Sequence, residues 1–468
     1  MKTFAINTLG CKVNQYESQQ IRELLERLGL HQTEYPEKPD LVVINTCCVT
    51  LHASAKSRQY IRKSQKLNPK AIIVVAGCLP TVQIGELGNL AGNINIVADR
   101  QNLAKILAHI TNGNNTQPNT ENLKNNPVAP LKTQHAAEVN VKTKSPSHPI
   151  FTTLSSFKGH TRAFLKVQDG CDAYCNYCII PKTRPNVHSK PLETVLKEAK
   201  QLVRSGHREI VVTGIFLGAY GRKTARRKNW PHTQNDKLHE LLDKLAQIPN
   251  LPRIRLSSLE PADITPRLLD AFRKYPNIMP HLHLSLQSGS DNILKKMARQ
   301  YNTDEFRQKI ELIKNQLHKP AITCDLIVGF PGETEADFQK TVDLAKEVGF
   351  AKMHVFGFSP RKDTPAANMT DKIEPKVIKQ RAKLLRNLNS ELACKFTEQF
   401  IGQTETILIE SAGHSNNTPP AGRSKRYFMV QLEKNGQNYK PGDLLTVKLL
   451  KNYTAKIIAK PVTKSRTS

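Results

Sequence analysis

The sequence predicts an α/β protein. It has an N-terminal parallel α/β sheet domain, a central partial (β/α)6 barrel of the TIM type and a small all-β barrel at the C-terminus. Three observations predict this order. In the first quarter of the chain and again in its centre, short apolar β-branched runs alternate with stretches of helical period. A long polar stretch separates these two parts, and the last part has short strand-like runs separated by turns.

The composition limits the class of protein and its partners. The chain has 468 residues, which is enough for roughly two to four domains. Its formal net charge of +29 predicts a polyanionic partner. Nine cysteines without an export signal predict free thiols in the cytoplasm and not a disulfide framework. The longest apolar runs, such as Ala71 to Ala76, are too short to cross a bilayer, so we expect no membrane partner.

Each apolar strand of the N-terminal domain is followed by a cysteine. The predicted strands are Thr3 to Thr8, Leu41 to Ile44 and Ala71 to Ala76, and the predicted helices are Asn14 to Leu30 and Ala53 to Leu67. Cys11, Cys47 and Cys78 follow these strands, and parallel strands end at one edge of a sheet, where ligands bind. We therefore expect the three thiols to converge on a metal centre, although a single buried cysteine is often a small apolar filler. Cys48 competes with Cys47 for the same place.

The polar stretch marks a domain boundary. It is rich in Asn, Gln, Thr, Lys and Pro and has no sustained period, which is typical of a flexible connection. A structureless segment of this length inside a compact domain would be unusual. The predicted division is an N-terminal domain at 1–112, a flexible linker at 113–156, a central barrel at 157–395 and a C-terminal barrel at 398–464.

The central part repeats strand and helix in the order of a partial barrel. The predicted strands are Ala163–Gln168, Glu209–Thr213, Arg253–Ser257, His281–Leu286, Ile322–Val328 and Lys352–Phe358. The predicted helices are Leu192–Arg204, Lys237–Ala246, Pro266–Lys274, Thr303–Leu317 and Glu335–Val348. The active sites of such barrels lie at the C-terminal ends of the strands. His281, His283 and His354 occupy alternating strand positions, where packing or hydrogen bonding explains them better than metal binding.

Three cysteines follow the first barrel strand within eight residues. They are Cys171, Cys175 and Cys178, with no fourth cysteine or histidine close behind. A cubane iron–sulfur cluster normally takes four thiolates, so three leave one iron open for chemistry. A structural zinc site is the alternative, but it usually needs a second spaced pair of ligands, which is absent here.

These motifs carry a resemblance to a known family. The spacing from Cys171 to Cys178, with Ile179-Ile180-Pro181 after it, resembles the radical S-adenosylmethionine (SAM) enzymes. In that family the open iron chelates SAM, and one electron cleaves SAM to a 5′-deoxyadenosyl radical. The N-terminal motifs are similar to those of the methylthiotransferases, and closest to the branch that modifies N6-threonylcarbamoyladenosine in tRNA. They are Asn7-Thr-Leu-Gly-Cys11-Lys-Val-Asn14, Asn45-Thr-Cys47-Cys-Val-Thr50 and Gly77-Cys78.

The resemblance implies the cofactors and the residues that bind them. The cofactors are SAM and two [4Fe–4S] clusters, one on the Cys171, Cys175, Cys178 trio and an auxiliary one on the Cys11, Cys47, Cys78 trio. Gly214, Glu260 and Gln287 follow or end strands of the barrel, and by the resemblance they contact SAM. The catalytic residues are not assigned.

The resemblance also implies the reaction and the partners. The expected reaction converts N6-threonylcarbamoyladenosine at position 37 to its 2-methylthio derivative. The partners are the tRNA anticodon loop, an electron donor of the flavodoxin or ferredoxin type and an unspecified sulfur source. Isopentenyladenosine tRNA and a ribosomal protein aspartate are alternative substrates. A non-catalytic iron–sulfur or zinc RNA-binding protein is the alternative from another class.

Basic residues outside the barrel core are candidates for RNA contact. Pro375 to Phe400 predicts a basic helix, and four short strands follow. They are Gln403–Glu410, Arg426–Leu432, Asp443–Leu450 and Thr454–Ala459. This tail resembles the TRAM domain that ends the family's chains, and its mixture of cations and aromatic side chains suits RNA. The loop from Arg222 to Lys228 either contacts RNA or is solvated, and Arg361 is a candidate partner for a substrate carboxylate.

Overall fold

The computed structural model describes the chain over residues 1–34, 37–88, 93–112, 152–230, 237–413, 418–433, 438–453 and 456–462. The chain divides into two compact units. The first comprises Met1–Leu9, Glu17–Cys47 and Ser54–Thr152, and the second comprises Gly10–Tyr16, Cys48–Ala53 and Thr153–Ser468. Most of the predicted linker lies outside the described residues and stays a prediction. None of the helices within these ranges has both the length and the apolar character of a membrane-spanning segment.

The N-terminal strands form one parallel sheet with the order β2-β1-β3-β4-β5. The strands are β1 Thr3–Thr8, β2 His31–Gln32, β3 Leu41–Thr46, β4 Ile72–Gly77 and β5 Ile94–Ile96. The helices are α1 Lys12–Arg27, α2 Leu51–Leu67, α3 Leu79–Gly88 and α4 Leu103–Thr111. All of β3 is buried, because it lies between β1 and β4 with both faces covered. The predicted parallel sheet is confirmed.

The central strands follow the predicted order in two parallel sheets. One sheet has the order β10-β9-β6 and the other has the order β11-β12-β13-β14. The strands are β6 Ala163–Lys166, β9 Glu209–Thr213, β10 Arg253–Leu256, β11 Ser258–Leu259, β12 His281–Gln287, β13 Ala321–Val328 and β14 Lys352–Gly357. A two-stranded antiparallel pair, β7 Gln168–Asp169 and β8 His188–Ser189, lies beside the cysteine motif in sequence. The predicted strand over Arg253–Ser257 therefore ends early, and its continuation pairs with β12.

Helices follow the barrel strands, and α11 shows a typical cap at each of its two ends. They are α5 Ile180–Thr183, α6 Leu192–Arg204, α7 Lys237–Ala246, α8 Pro266–Lys274, α9 Asp291–Lys296, α10 Thr303–Gln316, α11 Glu335–Val348 and α12 Pro375–Glu398. The Thr334 side chain accepts a hydrogen bond from the backbone N–H of Asp337 and starts α11. Gly349, with φ of 68°, ends the same helix in the left-handed conformation that glycine adopts readily.

The C-terminal strands close into a small barrel with the order β15-β16-β17-β19-β18. They are β15 Thr404–Ser411, β16 Ala421–Ser424, β17 Met429–Leu432, β18 Leu444–Tyr453 and β19 Lys456–Pro461. The predicted small all-β barrel is confirmed, with one strand more than predicted. The additional strand is β16, which has only four residues, Ala-Gly-Arg-Ser, and none of them is β-branched. Its sequence therefore has no signal for a strand. The run predicted from Arg426 starts at Met429 because Tyr427, with φ of 73°, forms a turn with Ser424.

Buried ion pairs connect the central and C-terminal barrels. Glu209 on β9 pairs with Arg255 at 3.0 Å and with Arg253 at 3.6 Å, and all three side chains are almost fully buried. The two arginines also donate to backbone carbonyl oxygens of Arg423 and Lys425 at the C-terminal barrel. Burial alone would raise the pKa of Glu209, but the surrounding arginines hold it below its ordinary value.

We expect Glu209→Gln to destabilise the protein by about 3–5 kcal/mol, because it leaves buried guanidinium groups without their counter-charge. The measurement is the urea concentration at the midpoint of unfolding. Glu347→Gln is the matched control, since Glu347 forms an exposed pair with Arg307 that is worth at most about 1 kcal/mol. Equal effects of the two substitutions would show that the buried pairs do not stabilise the junction.

Candidate active site

The cysteine motif begins where the backbone passes very close to a neighbouring segment. Gly170 has φ of 78°, and a Cβ there would meet the Asn186 carbonyl oxygen at 1.9 Å, so only glycine fits. The next residue, Cys171, donates its backbone N–H to the Arg184 carbonyl oxygen at 3.0 Å. The Arg184 guanidinium contacts both carboxylate oxygens of Asp169, at 2.8 and 2.9 Å. The start of the motif is therefore held by the segment that follows it.

The three thiols of this motif lie close enough to influence one another. Cys171 and Cys175 are 9% exposed, and the Cys178 N–H donates to the Cys175 carbonyl oxygen at 2.9 Å. Burial raises the pKa of Cys171, and the charges of Cys178 and Cys175 raise it further. Burial, and after it the negative charge of the Cys175 thiolate, raises the pKa of Cys178 to about 12. Neighbouring buried thiols of this kind need a positive partner to ionise, as a metal centre provides.

One arginine joins the cysteine motif to the end of a barrel strand. Arg299 Nη1 donates to Cys175 Sγ at 3.0 Å, and Arg299 Nη2 pairs with Glu260, which follows β11. Glu260 also pairs with Arg227 at 3.2 Å, and Arg227 reaches Asp263 at 2.7 Å. All of these groups are buried or nearly so. Opposite charges thus compensate one another beside the thiols.

Gly214 and Gln287, the other two predicted SAM-binding residues, lie at the ends of strands β9 and β12. Gly214 follows β9, and a Cβ there would meet the Gln168 side-chain oxygen at 2.9 Å. Gln168 in turn donates to the Gly170 carbonyl oxygen at 2.7 Å, which ties β9 to the start of the motif. Gln287 ends β12 with φ of 66°, next to a register shift in its pairing with β13. The three predicted SAM-binding residues therefore lie at C-terminal ends of barrel strands, as the motif does.

Part of the predicted basic loop serves the motif itself. Arg226 lies over the Tyr174 ring at 4.4 Å and donates to the Asp172 carbonyl oxygen at 2.9 Å. Asp172 also accepts from Thr224 Oγ1 at 2.6 Å. These contacts, like the ion pairs of Arg227, join the loop to other parts of the same barrel. Arg226 and Arg227 therefore have a structural role in addition to any contact with RNA or solvent. Arg227 and Arg299 are site residues that were not expected from the sequence.

The N-terminal cysteines follow strands that are aligned in one sheet. Thr8 pairs with Asn45 and Thr46 with Gly77, so β1, β3 and β4 end at the same edge. In the first unit, the Cys47 backbone exchanges hydrogen bonds with Ser57 Oγ at 3.3 and 3.0 Å. There too, Arg100 Nη2 lies 3.2 Å from Cys78 Sγ. Cys11 and Cys48 belong to the segments of the second unit, and Cys48 is fully buried.

Comparisons with known proteins identify the family. Residues 165–345 match the Radical SAM superfamily, and residues 3–99 match Uncharacterized protein family UPF0004. A Bacillus subtilis protein named "Threonylcarbamoyladenosine tRNA methylthiotransferase MtaB" is 34% identical over 454 residues, which cover 96% of this chain and 94% of that protein. This chain belongs to the radical SAM methylthiotransferase family. It is therefore an enzyme, and the alternative of a non-catalytic RNA-binding protein is set aside.

Two further matches extend the comparison. A Geobacillus kaustophilus protein named "tRNA-2-methylthio-N(6)-dimethylallyladenosine synthase" is 30% identical to this methylthiotransferase over 433 residues, with 92% of this chain and 77% of that protein covered. The radical S-adenosylmethionine methyltransferase TsrM from Kitasatospora setae, solved with cobalamin and a [4Fe–4S] cluster, has a TM-score of 0.54. It is 14% identical, and the match covers 78% of this chain and 74% of that one. This likeness shows a shared fold.

A [4Fe–4S] cluster fits the central motif of the methylthiotransferase. A single zinc ion with Zn–S bonds of about 2.3 Å would draw its thiolates to within about 4 Å of one another. Within the described ranges, the ligand atoms of His283, Asp325 and His354 lie within 4.8 Å of one another, whereas the sulfurs of Cys171, Cys175 and Cys178 do not. A cubane cluster takes one thiolate per iron and so spaces its ligands more widely. The donor set therefore suits the cluster better than zinc.

Proposed function

We propose that this methylthiotransferase acts on tRNA and converts N6-threonylcarbamoyladenosine at position 37 to its 2-methylthio derivative. The observation that carries the proposal is the Bacillus subtilis relative, which is named for this nucleoside and matched over 94% of its length. The net charge of +29 and the small C-terminal barrel support a polyanionic RNA partner. An adenosine beside the anticodon lies in a loop, where proteins reach unstacked bases.

In this proposal Cys171, Cys175 and Cys178 hold the first cluster. When bound, that cluster supplies the open iron and the electron that cleavage of SAM requires. Arg299 fixes the position of Cys175 and places a positive charge beside its sulfur, at 3.0 Å. An electron donor of the flavodoxin or ferredoxin type reduces the centre. The free thiols of the chain support a reducing, cytoplasmic location.

Gly214, Glu260 and Gln287 form the proposed SAM contacts. Support comes from their shared position at C-terminal strand ends, where barrel enzymes bind their ligands. Glu260 already contacts Arg227 and Arg299, so its contact with SAM requires that it share its carboxylate with both arginines. The Glu260 carboxylate can accept hydrogen bonds from the ammonium group or the ribose hydroxyls of the ligand.

Cys11, Cys47 and Cys78 hold the proposed second cluster, which carries the sulfur to be transferred. Support comes from the aligned ends of β1, β3 and β4, since the three cysteines follow these ends within three residues. Cys47 is favoured over Cys48 because it directly follows β3, as Cys78 directly follows β4. The sulfur source that restores this centre is not assigned.

The decisive experiment compares tRNA from cells with and without this protein. We expect the 2-methylthio derivative of N6-threonylcarbamoyladenosine to disappear and the unmodified parent nucleoside to accumulate. The measurement is mass spectrometry of nucleosides from digested tRNA, with a plasmid copy of the gene as the control for restoration. An unchanged level of the methylthio nucleoside would contradict the proposal.

The second candidate substrate is dimethylallyl- or isopentenyladenosine tRNA, favoured by the Geobacillus kaustophilus relative. The same nucleoside digest separates the two, because the mass of the lost nucleoside identifies its side chain. The alternative substrate, a ribosomal protein aspartate, is tested by mass spectrometry of the ribosomal protein after incubation with the purified enzyme. Modification of protein alone would replace the RNA assignment.

A further inference from the structure

A cavity of about 530 Å³ opens inside the central barrel of the second unit. Its wall includes Lys12, which directly follows Cys11, Ser257, which directly follows β10, His281 on β12, and Lys352 and His354 on β14. Ligand pockets in proteins commonly have volumes of roughly 300–1,000 Å³. We call it the barrel cavity. The cysteines do not line it, and the functions described above leave it unassigned.

Two buried polar atoms in the wall of the barrel cavity have no partner within the described residues. They are Nδ1 of His281 and Oγ of Ser257, and each side chain belongs to a residue that is 5% exposed. The other ring nitrogen of His281 does have a partner, Thr323 Oγ1, at 3.3 Å. A buried polar group without a partner costs roughly 1–3 kcal/mol, so such atoms point to a polar ligand.

The uncompensated charge around the cavity is positive. The wall has three arginines, and each has a carboxylate partner: Arg255 pairs with Glu209 at 3.0 Å, and both Arg423 and Arg162 pair with Glu410, at 3.2 and 2.8 Å. The wall carboxylate, Asp325, contacts His283 Nε2 at 3.2 Å. Although burial opposes it, this contact holds the pKa of Asp325 below its ordinary value.

The two wall lysines differ from these paired groups. Within the described ranges Lys12 and Lys352 enter no ion pair or side-chain hydrogen bond. Lys12 is partly buried, whereas Lys352 is exposed. Lys12 is therefore a wall cation that is only partly hydrated and forms no ion pair, while Asp325 lies near enough for the charge of Lys12 to help lower its pKa. An anionic group of a ligand could form an ion pair with the Lys12 ammonium group.

We propose that the barrel cavity binds the threonylcarbamoyl side chain of the substrate, with Lys12 contacting its carboxylate and His281 and Ser257 contacting its ureido or hydroxyl groups. The inference rests on the proposed function and names the residues that select its substrate. A dimethylallyl side chain would leave all three wall groups unpaired in a desolvated cavity. A site built for hydrogen bonds rejects an analogue that lacks them far more strongly than an apolar pocket rejects an extra group.

The test compares binding of N6-threonylcarbamoyladenosine with binding of its methyl ester, which keeps the shape and loses the charge. We expect the intact protein to prefer the free acid by about 10- to 100-fold, as for a charge-assisted hydrogen bond. Lys12→Met should bind both compounds equally. Lys383→Met, on an exposed part of α12, is the matched control and should keep the preference of the wild type. Ser257→Ala should weaken both compounds alike, because it removes an uncharged contact.

Iron content measured on each variant checks that Lys12→Met leaves the neighbouring cysteine centre intact. A preference for the acid that persists in Lys12→Met would overturn the inference. A tRNA phosphate is the other source of the same anionic chemistry. If Lys12→Met weakens an unmodified anticodon stem-loop as much as one carrying threonylcarbamoyladenosine, phosphate occupies the cavity and the inference is also overturned.

The outcome for the proposed function is separate. If the wild type methylthiolates threonylcarbamoyl tRNA and Lys12→Met does so with unchanged kcat/KM, the cavity assignment fails while the function stands. If the wild type modifies dimethylallyl tRNA and leaves threonylcarbamoyl tRNA untouched, the proposed function itself is wrong, and the cavity assignment falls with it.

Discussion

We expect the replacement of Cys171, Cys175 and Cys178 together by alanine to remove about half of the iron and all cleavage of SAM. The proposed two cubane clusters give about eight irons per chain, and the loss of one leaves about four. The effect is complete because a cluster with no thiolate in this motif cannot be retained there. The measurements are iron and sulfide analysis after anaerobic reconstitution, and chromatographic detection of 5′-deoxyadenosine.

Cys324→Ala is the matched control for this prediction. Cys324 is fully buried on β13 and is not part of either trio, so its loss tests the general effect of removing a core thiol. We expect this variant to keep its iron and its cleavage of SAM. Retention of about eight irons by the triple variant would mean that these cysteines do not hold a cluster. Zinc in place of iron in the wild type would contradict the assignment directly.

The strands and helices of this fold were predictable because their patterns are local. β1, β9, α6, α7, α8 and α11 match their predicted bounds at both ends. Each combines a buried apolar run or stripe with polar flanks or a cap, and both signals are read within a few residues. β16 was missed because strand formation there depends on pairing with β15 and β17 in a closed barrel. Such pairing is set by tertiary structure and not by propensity.

The candidate site was predictable only where residue type itself specifies the chemistry. Cysteine spacing predicted the central motif, since thiolates at short spacing have few other uses. Arg299 and Arg227 had no such signal, because an arginine in a charged stretch is usually solvated. They lie 39 and 33 residues from Glu260 in sequence, and only the fold brings their charges together. A carboxylate at the end of a barrel strand, such as Glu260, is buried and needs a cationic partner. That need could have indicated that arginines from elsewhere in the chain would lie beside it.

The barrel cavity shows the same limit. The sequence favours packing or hydrogen-bonding roles for His281, His283 and His354, and the hydrogen bond between His283 Nδ1 and Thr323 Oγ1 at 2.9 Å agrees with that interpretation. Lys12 lies within the motif around Cys11, but its residue type did not indicate a ligand-binding role, because it is one of many lysines in a basic chain. Its place in the wall depends on how the segment after β1 meets the barrel within the second unit. Sequence spacing contains no information on that contact.

Replacing Cys11, Cys47 and Cys78 together by alanine should abolish methylthiolation and leave SAM cleavage in place. The two trios have separate roles in the proposal. This trio holds the cluster that carries the sulfur, whereas the electron reaches SAM through the cluster on Cys171, Cys175 and Cys178. Iron should again fall from about eight to about four per chain. Methylthio nucleoside and 5′-deoxyadenosine are measured in the same reaction, so that the two activities are separated within one sample.

The single variants Cys47→Ala and Cys48→Ala locate the third ligand of that trio. Cys47 lies directly after β3 with its backbone held by Ser57, whereas Cys48 is a fully buried side chain in a segment of the second unit. We therefore expect Cys47→Ala to lose the methylthio product and Cys48→Ala to retain it with a modest loss of stability. The reverse result would assign the ligand to Cys48. Full methylthiolation by the triple variant would exclude this trio as the carrier of sulfur.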